Sequence, residues 1–561
     1  MRPARSFRRW LYLGHRWLGI SMCLLVAMWF FSGVVMMYVG FPSLTRAERL
    51  VALPELEQDK LRVGPGELLQ RLDPAQTIEE LRLTSVLGRP AWLMRTGDGT
   101  HHGLFADTGG AIGKIEAEDA LQASRVYAHA TGLSSAQPAL KALLLVDQWS
   151  VSSSLHPHRP LYSVALNDPA GTELYVSSVT GEVVRDTSAL ERGWNWLGAN
   201  LHWIYPVQLR QHVSIWHWVI VVLSIAGLVS IVTGAVVGVM RLRFRRRYRG
   251  SDVTPYRGTL KLHHVLGLIF LVPLTTFLLS GLLSMNPWGV FDDDIPFGDR
   301  LAAYRDTPTV GALAAYLDTP TIGALNVGAT QVGAGSIGTF HVDAVSSGTT
   351  HVGALAVGAA TVRGHLAGVV FPSPGLGLEM PSGRGLKFPP ETRELVWQWL
   401  GGSPYAYAVT GDGRRQLLTS SEQGSIEVSV LAQIKRGMAG HRTVSIERLT
   451  DYDLYYYSHH QRWRPLPVLR VRFDDANATW YHIDLTTGEL INQLTETGRT
   501  KRWLYNGLHS LDFGFLIDNR PVWDVVVIVL CSAGFLFSST AVIVSWRRLL
   551  RIRKRHRARK A

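Results

Sequence analysis

Two stretches decide how this chain reads: NWLGANLHWIYPVQL at 195–209 and RWLYNGLHSLDFGFL at 502–516. Trp196 and Trp503 lie 307 residues apart, and so do Leu201 and Leu508, His202 and His509, Trp216 and Trp523, and Gly227 and Gly534. The register runs back without a gap to Gly181 and Gly488. A second register, of 248 residues, aligns HRWLGI at His15 with HHVLGL at His263, Gly19 with Gly267, and Ser32-Gly33 with Ser280-Gly281. A spacing shared over so long a window reads as an internal duplication. The registers differ by 59 residues, so the second half holds an insertion of that size. It shows as a Gly/Ala/Val/Thr repeat at 307–363, where VGA or its relatives recur. So short a period with so little charge reads as a small β-rich or flexible insertion without chemistry of its own.

Working outward, the repeat anchors flank four apolar runs, at 15–39, 213–240, 262–285 and 522–546. Each exceeds the ~20 residues a helix needs to cross hydrocarbon. The first is too long, and too polar at its exit, to be only a cleaved signal, so it reads as a retained span. The net charge of +13 raises the question of nucleic acid, and its distribution answers it. The segments 1–14, 241–261 and 547–561 together carry twenty net positive charges, and the rest of the chain is acidic. Basic segments flanking spans stay in the cytoplasm, so the expected partner is membrane lipid of anionic character and not nucleic acid. This predicts a multi-pass protein of a bacterial inner membrane with both termini and the 241–261 loop cytoplasmic. Residues 40–212 and 286–521 then form two periplasmic domains. Cys23 and Cys531 both fall in spans, so neither domain uses a disulfide.

Both exported segments mix helical and alternating periodicity. ADTGGAIG, VSSVTGEVV and HIDLTTGELI place glycines where hairpin turns need them. The fold class expected is therefore an α-helical membrane protein: a four-helix transmembrane bundle from an internal duplication, carrying two α+β periplasmic domains. The second exported segment has the densest polar aromatic cluster, DYDLYYYSHHQRWRPLPVLRVRF. It reads either as a sheet rim with cross-strand aromatic pairs or as a docking surface of Tyr455, Tyr457, His459, His460 and Arg462. Two adjacent histidines with no third ligand close in sequence are a weak metal signal.

Four histidines near the spans belong to the repeat. His15 and His263 sit at the cytoplasmic face, His202 and His509 at the periplasmic face. A twofold along the membrane normal would bring each pair toward the bundle centre. Two imidazoles converging from opposite helices suit a six-coordinate haem iron. Two haems per chain would follow, b-type because no C-x-x-C-H is present. Gly19, Gly33, Gly267 and Gly281 would clear room for a flat macrocycle or let helices approach closely, a reading that also covers Gly234-x-x-x-Gly238. Histidines at span ends also sit simply in the headgroup region, although ionisable residues within membranes are costly and usually functional. His217 is a rival ligand on the periplasmic side, but its repeat counterpart is Asp524; His212 and His264 are likewise unmatched.

HRWLGI with a following Ser-Gly, W-x5-LH before a span, DLYYYSHH followed by LPVLRVRF, and RWLYNGLHSLDF before Trp523-Asp524 together resemble the PepSY-associated transmembrane-helix family. That family includes iron-regulated inner-membrane proteins and siderophore-iron reductases. The resemblance implies four spans, PepSY-like periplasmic domains and, in the reductase members, haem that carries electrons to a ferric siderophore. By motif position its histidines fall on His15, His202, His263 and His509, and less securely on His217. The function expected is reduction of periplasmic ferric iron, as ferric siderophore or another chelate. No dinucleotide or flavin motif is evident, so a quinol or a cytoplasmic reductase would supply the electrons. The alternative is a non-enzymatic membrane-anchored PepSY module that binds periplasmic peptide or protein partners.

Overall fold

The computed structural model describes residues 3–133, 136–245, 248, 252–293, 296–318, 387–418, 423–437, 441–458 and 463–560. Most of the 307–363 repeat lies outside these residues. Its described beginning, Val310–Asp318, is helical.

Among the described residues three helices are long and apolar enough to cross a membrane: Ser6–Tyr38, Val213–Arg241 and Arg520–Ala558. The remaining apolar run differs from a single straight helix. Thr259–Ile269 and Leu271–Ser284 meet at Phe270 with a bend of 67°. Pro273 explains the break: it has no N–H to give to the carbonyl of Ile269, and its ring crowds that carbonyl. The first helix packs against the second and the last, and the bent pair packs against the same two.

The packing repeats with the sequence. A Cβ on Gly227 would lie 2.6 Å from Leu278, and one on Gly534 would lie 2.5 Å from Phe30. Gly227 and Gly534 are one pair of the 307-residue register, and Phe30 and Leu278 are one pair of the 248-residue register. Any larger residue at either glycine would push the helices apart.

Outside the helices the first half contributes strands β1 (Ile78–Val86), β2 (Arg89–Thr96), β3 (His101–Phe105), β4 (Ala139–Leu144), β5 (Leu161–Ala165), β6 (Glu173–Ser177) and β7 (Val183–Thr187). The second half contributes β8 (Thr392–Leu400), β9 (Ser403–Thr410), β10 (Arg415–Leu417), β11 (Thr443–Leu449), β12 (Val468–Phe473), β13 (Trp480–Asp484) and β14 (Leu490–Leu494). Two four-stranded sheets, β4-β5-β6-β7 and β11-β12-β13-β14, have the same order. Their last three strands begin at 161, 173 and 183 in one half and at 468, 480 and 490 in the other, again 307 residues apart.

The third sheet joins the halves, in the order β10-β9-β8-β1-β2-β3. β1 and β8 pair antiparallel through Leu81 with Trp397, Arg82 with Val396 and Leu83 with Leu395. The two halves of the chain thus share a sheet. Alternation along β1 sends Leu81 and Leu83 into a core with Trp92, Trp397 and Trp399, and sends Arg82 to the other face. There Arg82 donates two 2.6 Å hydrogen bonds to Glu182 and one of 3.1 Å to Glu394. Arg49 grips the same Glu394 at 2.7 and 3.0 Å. This buried network ties the helix Arg46–Ala52, which follows the first span, to strands of both halves.

Candidate functional site

His202 ends the short helix Ala199–His202, and His509 follows a π-helical turn, Arg502–Gly507. Each loop is pinned to the top of the helix that follows it by a repeated tryptophan. The Trp216 indole donates to the Trp203 carbonyl and the Trp523 indole to that of Ser510, both at 2.8 Å. The result places the two imidazoles face to edge at the sheet end of the bundle, with centroids 6.1 Å apart and planes at 71°. They line a cavity of about 500 Å³ together with Gly33, Gly281, Phe277 and Tyr457. A Cβ at Gly33 or Gly281 would meet the neighbouring imidazole at an ordinary 3.7 or 3.6 Å. The glycines are therefore not required by the histidines; what they leave open is cavity.

Hydrogen bonding decides which ring nitrogen of each histidine is available. The Ser32 hydroxyl gives its hydrogen to the Met28 carbonyl at 2.7 Å, so in its 3.1 Å contact with His202 Nδ1 it accepts, and the Trp29 carbonyl is a second acceptor for the same ring. Ser280 repeats this: it donates to the Thr276 carbonyl at 2.7 Å and accepts from His509 Nδ1 at 3.1 Å. The Phe277 carbonyl is a further acceptor for His509 Nδ1, at 3.3 Å. Both rings therefore carry the proton on Nδ1 and keep the Nε2 lone pair, which is how histidine ligands to metals are commonly held. Burial, with His509 beside it, lowers the His202 pKa to about 3, and burial lowers that of His509 too. Both are neutral at physiological pH.

At the basic end of the bundle a second cavity, of about 650 Å³, is lined by His15 and His263. The same inference holds there. His15 Nδ1 meets the Ser230 carbonyl at 3.1 Å, an acceptor only. His263 Nδ1 lies 3.1 Å from the Thr540 hydroxyl, whose hydrogen is given to the Phe537 carbonyl. His263 also stacks on the Phe537 ring at 5.0 Å. Gly234 is needed in this cavity: a Cβ there would fall 2.6 Å from His15 Cε1. Gly238 instead admits Leu268, as close helix packing requires.

The unmatched histidines differ in kind. His264 donates from Nε2 to the Gly238 carbonyl at 2.9 Å and accepts at Nδ1 from the Thr254 hydroxyl at 2.8 Å. Neither nitrogen is left over. His217 lies against Trp218 and is not part of the cavity of His202 and His509. Of the aromatic cluster, Tyr457 lines that cavity and donates to Asp512 at 2.9 Å. Tyr455 lies apart, accepting from the Trp503 indole at 3.1 Å and packing on Trp480. His459, His460 and Arg462 lie outside the described residues. Among the described residues no group of three or more His, Cys, Asp or Glu side chains could hold a metal ion.

The sequence reading missed Ser32, Ser280 and Thr540 as histidine anchors and Tyr505, which stacks on His509 at 5.4 Å. The serines were legible: Ser recurs with Gly at 248 residues. Tyr505 has no such signal, because its counterpart is Gly198.

Residues 115–316 match the family model of the PepSY-associated TM region, the family that the motifs resemble. The match includes His202, His217 and His263, and leaves His15 and His509 outside it. No curated protein matches the chain.

Proposed function

We propose that this protein is an inner-membrane b-type haem protein that passes electrons across the membrane to ferric iron in the periplasm, held there as a ferric siderophore. The reading takes the bent pair as a fourth span, the two halves as a duplication, and the basic segments as cytoplasmic. The observation that carries it is the shared state of four histidines in two cavities: each has Nδ1 anchored to an acceptor and an Nε2 lone pair to offer. The residues fit a haem, since two neutral imidazoles converge in each cavity and both volumes lie within the range of cofactor sites. His202 and His509 would hold one group, His15 and His263 the other. Haem iron, when bound, would supply one-electron chemistry between its ferric and ferrous states.

The chain's own part is to hold and to exclude. Ser32, Ser280, Thr540 and the Ser230 carbonyl fix ring orientation, while Phe30, Phe277 and Leu278 keep water from the upper cavity. Tyr457 and Ser458, which line that cavity and belong to the sheet-side segment, would meet the incoming chelate. Reduction releases iron because Fe(II) is held less tightly by hard oxygen ligands. A quinol or a cytoplasmic reductase would supply the electrons. The test is a dithionite-minus-air visible spectrum with haem counted per chain. Two per chain is expected; the absence of a Soret band, also after reconstitution with haem, overturns the reading.

A second reading is favoured by the sheet edges. β4 and β11 end their sheets and expose Leu140, Leu143, Val444 and Ile446, which would suit addition of a peptide strand. On that account the protein is an anchored periplasmic binding module. Alanine at His202 and His509 would then leave its function intact.

A further inference from the structure

We infer that the opening of the lower cavity is a binding site for a carboxylate- or phosphate-bearing anion, held by Arg16, Arg257, Arg547, Arg548 and Arg551. All five line the cavity of His15 and His263, and they come from the first helix, the loop before the bent pair, and the last helix. The preference of basic residues for the cytoplasmic side explains how many arginines lie at this end, but not which way they face.

On the last helix the direction is legible. Phe537, Ala541, Val544, Arg548 and Arg551 all line the cavity, at steps of three and four residues, which is one helical face. That lining is largely apolar through the bundle, interrupted by Ser538 and Ser545, and turns to guanidinium where the cavity opens. Arg553, Lys554 and Arg555 do not line it. The repeat accounts for only one of these side chains: Arg241 stands where Arg548 would be in the first half, but Met240 and Phe244 stand at the positions of Arg547 and Arg551. The upper cavity is built otherwise, with Arg520 and Asp512 both in its wall.

Among the described residues no carboxylate lines the lower cavity. All five are exposed, so water screens part of their repulsion, but like charges gathered around one opening still favour the entry of a counter-charge. The planar, always-charged guanidinium pairs two-pronged with carboxylate and phosphate, so those are the groups the opening selects. Two sources share that chemistry. One is the carboxylates of a macrocycle held by His15 and His263, which rests on the haem reading; the other is a free phosphate-bearing anion of the cytoplasm.

The test uses the full chain in an uncharged detergent, in a His509→Ala background so that only the lower cavity is read. It compares intact arginines with Arg548→Gln/Arg551→Gln and with the control Arg553→Gln. The probes are haem, haem dimethyl ester, and inorganic phosphate against chloride at equal ionic strength. If the macrocycle is the source, haem binds about ten- to a hundredfold more tightly than its ester, a preference the double variant loses and the control keeps. If a free anion is the source, haem and ester bind alike, and phosphate raises the melting temperature only where Arg548 and Arg551 are present. Finding neither an ester preference nor an arginine-dependent phosphate effect would overturn the inference. Should no macrocycle bind any form, the haem reading falls and the phosphate measurement still decides this one.

Discussion

Replacing Ser32 by alanine should weaken haem binding in the cavity of His202 and His509 about as much as replacing Ser280 does. Both hydroxyls are fully buried and both accept from the Nδ1 of a histidine at 3.1 Å. Without Ser32, His202 keeps the Trp29 carbonyl as an acceptor, so its buried N–H is held less well and not left bare, at a cost toward the lower end of the about 1–3 kcal/mol that an unsatisfied one incurs. Without Ser280, His509 keeps the Phe277 carbonyl at 3.3 Å. Removing a partner that orients a metal-bound histidine typically costs about ten- to a hundredfold in affinity. At about 1.4 kcal/mol per tenfold, that matches the range expected from the lost hydrogen bond. With a backbone carbonyl left to each histidine, Ser32→Ala and Ser280→Ala should both lie near or below the lower end of that range. The assay is titration of haem-free protein in detergent, followed at the Soret band, with circular dichroism to check folding. If both variants bind haem as wild type does, the tautomer argument is wrong, and a difference of more than about tenfold between them would refute the shared pair of acceptors.

Gly234→Ala should cost about 1–3 kcal/mol of stability by overpacking and lower the haem count from two per chain toward one, because its Cβ would meet His15 Cε1 at 2.6 Å. Gly14→Ala, with nothing within 4 Å, should leave both stability and count unchanged. His263→Ala should lose one haem per chain, while His264→Ala should lower the melting temperature and leave the pyridine-haemochrome count at the wild-type value. Acid should weaken the junction of the two halves. Burial alone would raise the Glu182 pKa, but the charge and hydrogen bonds of Arg82 win and hold it at about 2, against an ordinary value of 4.5. A depressed carboxylate contributes stability that is present above the ordinary value and lost as pH falls toward the folded one. Unfolding followed between pH 5 and 2 should show that loss, and Glu182→Gln should remove part of it while destabilising the protein by about 3–5 kcal/mol at neutral pH.

The amino-acid sequence by itself determined the repeat, the four apolar runs, the separation of basic from apolar segments, and the pairing of His15 with His263 and of His202 with His509. These are properties of composition and spacing, and they recur in register along the chain. The bend at Phe270 was also local, written in Pro273. The tertiary structure alone decided that β1 meets β8 across the two halves, that Tyr457 reaches the upper cavity while Tyr455 and His217 do not, and that His264 has both nitrogens spent. It also decided which nitrogen each of the four histidines can offer. Each of these rests on a partner far away along the chain, such as Ser32 for His202 or Glu394 for Arg82. Periodicity specifies which face of an element a side chain occupies, but not which distant group that face will meet.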